Sequence, residues 1–143
     1  MSFALTRRFG WIYVDAPSDL EAFLLEVMRK WDMIDDEDEP ATSIPLAGIW
    51  RAVNGTRVIG PAPILDMLKT IHAIDADIDL LTTPKGDQAT TYLDGFYMYV
   101  LPMLDGILRK QAIEIVMAVC GALTLPENDP VAQSLSERLS RLA

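Results

Sequence analysis

Histidine and cysteine carry much of the acid–base and nucleophilic chemistry of proteins, and this 143-residue sequence has one of each, His72 and Cys120. A Ser-His-Asp or Cys-His site needs a histidine that accepts and returns a proton. His72 falls at the border of the apolar stripe of a predicted helix, which favours a structural role. Cys120 lies in a strongly apolar segment, where burial raises the pKa of a thiol and lowers its reactivity. We therefore expect neither residue to be catalytic.

Carboxylates are the other abundant reactive groups, with 21 Asp and Glu residues in the chain. Three of them alternate as the first ligands of an EF-hand calcium loop do: Asp75, Asp77 and Asp79. The match then fails, because Leu80 and Gly86 stand where that loop needs a glycine and a bidentate glutamate. The acidic run 35–39 is interpreted as a solvated loop, since its like charges repel each other. The sequence therefore predicts no metal site and no cofactor.

The charge and the motifs exclude several classes of function. No motif typical of nucleotide binding, of a zinc protease or of a serine hydrolase occurs in the chain, so we predict that the protein is not an enzyme. The formal net charge of −9 disfavours direct binding to nucleic acid or to an anionic membrane, because both need a basic patch. A single cysteine cannot form an intrachain disulfide, and the predicted location is the cytoplasm.

Hydrophobic periodicity predicts the helices that would position these groups. They cover 18–31, 64–73, 111–123 and the chain from Pro130 onwards. Ser18 and Glu21 have the spacing of a capping box at the start of the first helix. The segment 111–123 is apolar on nearly every side except at Glu114, which predicts a central, fully buried helix.

Other segments have the composition or the alternation of β-structure. They are a strand at 9–14, a hairpin at 48–60, a strand at 74–80 and a hairpin at 89–100. Asn54-Gly55 and Asp94-Gly95 are the two predicted turns, and a helix in place of the second hairpin would carry Gly95 at a cost of about 1 kcal/mol. The predicted fold class is therefore α+β, one domain over residues 1–143 with a small, mostly antiparallel sheet and about four helices. The alternative is a mainly α domain with one short hairpin at Asn54-Gly55.

The second predicted hairpin places three tyrosines on one face: Tyr92, Tyr97 and Tyr99. Tyrosine combines a large apolar ring with a hydrogen-bonding hydroxyl and is enriched at binding hot spots. This face is a candidate protein-binding patch if it is exposed. The sequence leaves open whether a helix covers it instead.

A second candidate surface is acidic and combines Asp75, Asp77 and Asp79 with the loop 35–39. On a strand, carboxylates two residues apart are about 6.6–7 Å apart, close to the separation of successive phosphates. Such a row would suit an acidic DNA mimic that inhibits a nucleic-acid-binding protein.

These observations predict a non-enzymatic protein-binding module that acts through a preformed surface. It would be an inhibitor, an immunity or anti-defence protein, an adaptor or a chaperone, and its partner would be another protein. One alternative is a structural or assembly subunit of a phage or mobile element. That alternative includes a homo-oligomer, because a high apolar fraction in a short chain leaves surface for self-association. The other alternative is the DNA mimic.

Overall fold

A computed structural model describes residues 17–126 and 128–143, and helices make up 62% of it. Six α-helices occur in these residues: α1 (Leu20–Lys30), α2 (Pro45–Asn54), α3 (Pro61–Ile74), α4 (Gln88–Gly95), α5 (Arg109–Leu123) and α6 (Pro130–Ser140). A π-helical turn (Phe96–Val100) and a 3₁₀ turn (Leu101–Leu104) follow α4. No β-strand occurs in the described part of the chain, so the α+β prediction is wrong. The alternative is right that the domain is mainly α and wrong about the hairpin at Asn54-Gly55. The predicted strand 9–14 lies outside the described residues.

The first predicted helix is confirmed as α1, although its cap differs from the prediction. Asp19, not Ser18, is the N-cap, and its carboxylate accepts a hydrogen bond from the Ala22 N–H at 3.0 Å. Glu21 does not complete a capping box. Its carboxylate instead accepts hydrogen bonds from the Ser43 hydroxyl and from the Ile44 N–H, at the start of α2. Glu21 therefore links α1 to α2.

The hairpin predicted at 48–60 is a helix followed by a loop. Pro45 stands in the first turn of α2, and the apolar side of that helix is buried. Gly55 has a φ of −64°, so Asn54-Gly55 does not form the type I′ turn that the pattern suggested. The Asn54 side chain accepts a hydrogen bond from the Ile59 N–H at 2.9 Å, and the Trp50 indole donates one to the Ile59 carbonyl at 3.2 Å. The Asn-Gly pair therefore ends a helix.

The hairpin predicted at 89–100 is also helical, formed by α4 and the π-helical turn. Both elements pack against α3. Gly95 is buried there, and a Cβ atom on it would lie 2.9 Å from the Met67 Cγ. The propensity cost that favoured a hairpin is thus offset by a close helix–helix contact that only glycine permits.

In the segment predicted as a strand at 74–80, Ile74 ends α3 and residues 75–80 form a loop. The Asp75 carboxylate accepts a hydrogen bond from the Asp77 N–H, and the Asp79 carboxylate accepts one from the Leu81 N–H. These backbone N–H groups thus bond to nearby side chains and not to the backbone of a neighbouring strand. Without a strand, the regular carboxylate spacing on which the DNA-mimic hypothesis depends is absent.

The predicted helices 64–73, 111–123 and the one from Pro130 are confirmed as α3, α5 and α6. One hydrophobic core cluster runs from α1 to α6, and α5 packs against both α2 and α6. The contact with α2 is close, because a Cβ on Gly48 would lie 3.0 Å from the Ala122 Cβ. However, α5 is not fully buried as predicted. Ile113 and Met117 are 53% and 66% exposed, so one side of this apolar helix faces outward.

Candidate functional site

The two acidic segments singled out in the sequence line one open cleft of about 420 Å³. We call it the acidic cleft. Its carboxylates are Asp38, Glu39, Asp77 and Asp79. The apolar side chains that line it are Met33, Ile34, Ile78, Leu80 and Leu81. The last three are almost completely buried and Met33 and Ile34 are half-buried, so the cleft exposes a limited apolar surface beside an acidic rim.

Local hydrogen bonds hold each wall of the acidic cleft. On one wall, the Asp38 carboxylate accepts a hydrogen bond from the Asp35 N–H at 3.0 Å. On the other wall, the Asp79 carboxylate accepts one from the Leu81 N–H at 3.0 Å. Asp77 is exposed, and none of the described side chains is hydrogen-bonded to its carboxylate. Asp77 is therefore the carboxylate of the cleft that is most readily available to another molecule.

Arg29, near the end of α1, is the cation that pairs with this rim. Its guanidinium donates to the Asp38 carbonyl at 2.8 Å and forms an ion pair with Glu39 at 2.9 Å. Glu39 is 72% exposed, so the ion pair is well hydrated and contributes at most about 1 kcal/mol to stability. Among residues 17–126 and 128–143, one positive charge beside four carboxylates leaves the rim negative.

A second surface, which the sequence analysis missed, lies between α5 and α6. It is an apolar groove of about 420 Å³. Its lining residues are Val116, Met117, Cys120, Gly121, Leu125, Ala132, Gln133 and Ser136, none of which is charged. The signal for this groove was present, since 111–123 is apolar on nearly every side. That pattern predicts burial, but Ile113 and Met117 on one side of α5 are 53% and 66% exposed.

The predicted tyrosine patch does not form as expected. Tyr92 is fully buried in the core, and its hydroxyl has no hydrogen-bond partner in the described structure. Burial, and secondarily the charge of Asp79, raises the pKa of Tyr92. Tyr97 and Tyr99 are half-buried. The three side chains therefore do not share one exposed face.

The two half-buried tyrosines contact neighbouring helices. The Arg138 guanidinium of α6 lies 4.0 Å from the centroid of the Tyr97 ring, a cation–π contact. The Thr70 hydroxyl of α3 donates a hydrogen bond to the Tyr99 hydroxyl at 3.0 Å. Burial is the main cause that raises the pKa of Tyr97. These contacts connect helices within the fold.

The remaining reactive groups lie apart from the acidic cleft. His72 is half-buried in the last turn of α3. Cys120 is buried beside the apolar groove, and burial raises the pKa of its thiol, as the sequence predicted. Within residues 17–126 and 128–143, no group of three or more His, Cys, Asp or Glu side chains is placed to hold a metal ion. None of the helices in these ranges is both long and apolar enough to span a bilayer.

Comparisons of the chain with protein-family models, with curated proteins and with solved structures find no match.

Proposed function

We propose that this protein is a non-enzymatic protein-binding module whose acidic cleft receives a basic segment of another protein. The observation that carries the proposal is the joining of two acidic segments, distant in sequence, around one cleft that also has half-buried apolar side chains, Met33 and Ile34. Lysine and arginine have apolar stems and charged ends, and they suit a surface of that composition. An inhibitor, an immunity or anti-defence protein, an adaptor or a chaperone would each use such a preformed surface.

Electrostatics supports a basic partner over an acidic or neutral one. The four carboxylates of the rim lie on a chain with a formal net charge of −9. A negative potential of this kind speeds the encounter with a positively charged partner and repels acidic ones. The cytoplasm remains the proposed location, because the chain has one cysteine and cannot use an intrachain disulfide.

Charge inversion at Asp77 tests the proposal, because no described side chain holds its carboxylate. In affinity capture from host lysate, quantified by mass spectrometry, Asp77→Lys should weaken retention of the specific partner about tenfold. The matched control is Asp66→Lys, at an exposed position on α3 that does not line the cleft. Both variants should unfold at the same temperature as the wild type, since both positions are exposed.

Salt provides a second measurement of the same contact. Raising the ionic strength from about 0.1 M to about 1 M shortens the Debye length from about 10 Å to about 3 Å, so retention of a basic partner should fall. The proposal is wrong if every captured protein is retained equally by the wild type, Asp77→Lys and Asp66→Lys. It is also wrong if the partner binds as tightly at high salt.

A further inference from the structure

The uncovered side of α5 lies next to the apolar groove. Two large apolar side chains project from it, Ile113 at 53% and Met117 at 66% exposure. The next residue at the same four-residue spacing is Gly121, where a Cβ would meet no atom within 4 Å. Residues at i, i+4 and i+8 form one ridge along a helix. This ridge therefore carries two large side chains at one end and an open position at the other.

This arrangement is complementary to itself. In an antiparallel pair of α5 helices with Met117 nearest a two-fold axis, positions four residues before and after Met117 face each other. Ile113 of one copy then lies over Gly121 of the other, so that a large side chain meets the open position. Met117 itself lines the apolar groove of each copy, together with other uncharged residues.

Charge also favours a second copy at this face. Two chains of net charge −9 repel each other, and the repulsion is smallest where the contact surface has no charge. Lys110 and Glu114 flank Ile113 at the start of the ridge, and from residue 115 to the end of α5 the sequence has no charged residue. The acidic cleft is excluded as a contact between copies, because each would present carboxylates to the other.

We infer that the face formed by α5 and the apolar groove is a two-fold dimerisation surface of this chain. The inference concerns a different surface from the acidic cleft and does not depend on the proposed function. Two neighbouring helices of 15 and 11 residues present an outline of roughly 20 Å by 20 Å, or about 400 Å² per copy. The total of about 800 Å² is below the roughly 1,200 Å² of stable specific interfaces, so the dimer should be weak and reversible.

Sedimentation of the full chain over a concentration series tests the inference. From about 1 µM to about 300 µM the wild type should shift from monomer to dimer. Met117→Glu should weaken association at least tenfold, because it places two carboxylates side by side in an apolar interface. The matched control is Met98→Glu, at a methionine that is 58% exposed and does not line the groove, and it should dimerise like the wild type.

A cross-link at the axis provides a positive readout. In a Cys120→Ser background, Met117→Cys should form a reducible dimer on mild oxidation, whereas Met98→Cys should not. The dimer should persist at about 1 M salt, which weakens binding at the acidic cleft but not at an uncharged face. If the chain does not dimerise, the proposed binding of a basic partner at the acidic cleft is not contradicted, because the two surfaces are tested separately.

Three results would overturn the inference. One is a chain that stays monomeric at every concentration, which would mean that a second copy does not bind the groove. Another is a dimer that Met117→Glu does not weaken, which would place the contact elsewhere. The third is equal loss of association in Met117→Glu and Met98→Glu, which would indicate non-specific apolar contact.

Discussion

Replacing Gly95 with alanine tests the close contact between α3 and α4 that replaces the predicted hairpin. A Cβ at this position would lie 2.9 Å from the Met67 Cγ and 3.6 Å from the Met67 carbonyl oxygen. Met67 is fully buried, so its side chain cannot move without displacing other core residues. Overpacking of this kind costs about 1–3 kcal/mol, more than the roughly 1 kcal/mol that alanine gains over glycine in a helix. We expect Gly95→Ala to lower the free energy of unfolding by about 1 kcal/mol.

Gly121→Ala is the matched control, because it makes the same change in a helix where a Cβ meets nothing within 4 Å. It should raise the free energy of unfolding by about 0.5–1 kcal/mol. Urea unfolding, followed by circular dichroism, measures both effects. A protein concentration of about 1 µM keeps the proposed dimer dissociated, so that only the monomer is compared.

The two alanine substitutions should shift the urea midpoint in opposite directions without changing the slope m. A Gly95→Ala variant that is as stable as the wild type, or more stable, would refute the argument. It would mean that the contact with Met67 relaxes without cost and that glycine is not required where α4 meets α3.

Two further substitutions test single interactions. Tyr92→Phe removes a buried hydroxyl without a partner and should raise stability by about 1 kcal/mol. The pKa of Tyr92 is raised in the folded protein, so the unfolded chain loses this proton first as the pH rises. Titration of Tyr92 therefore leaves the stability of the wild type unchanged below pH 10.0 and lowers it by up to about 1.4 kcal/mol per pH unit above it. Unfolding at several pH values above 10.0 should therefore show a smaller loss in the variant, and parallel curves would contradict this. Glu21→Ala should lower the free energy of unfolding by about 1.5–3 kcal/mol, because it removes the hydrogen bonds that link α1 to α2. Glu26→Ala, at an exposed position on the same helix, is the control and should change stability little. Equal effects of the two substitutions in thermal unfolding would be evidence against the link.

The helices with clear local signals were predictable from the sequence. In α6, Asp129 and Pro130 stand at the start, and the Asp129 carboxylate accepts a hydrogen bond from the Val131 N–H at 2.8 Å. The 3.6-residue periodicity located α1, α3 and α5, because apolar residues at that spacing lie on one side of a helix. Caps and periodicity depend on neighbours within a few residues, and a sequence displays those directly.

The predicted hairpins failed where a local pattern was compatible with two structures. Asn54-Gly55 suits a tight turn, but here it ends α2, and the Asn54 side chain accepts a hydrogen bond from Ile59. Gly95 argued against a helix on propensity alone, and its contact with Met67 outweighs that cost. Gly95 meets Met67 on the separate helix α3, whereas Asn54 bonds to Ile59, only five residues further along the chain.

For the candidate surfaces, the sequence by itself determined the chemistry and the tertiary structure decided the placement. The sequence located the acidic segments around residues 35–39 and 75–79 and the apolar segment 111–123. Only the fold brings Asp38 and Asp77 to one cleft, buries Tyr92 and leaves Met117 uncovered. The physical reason is the distance along the chain over which each property is set. The charge and hydrophobicity of a segment are properties of its own residues. Whether a segment is covered depends on side chains from distant segments, which meet it only when the whole core packs.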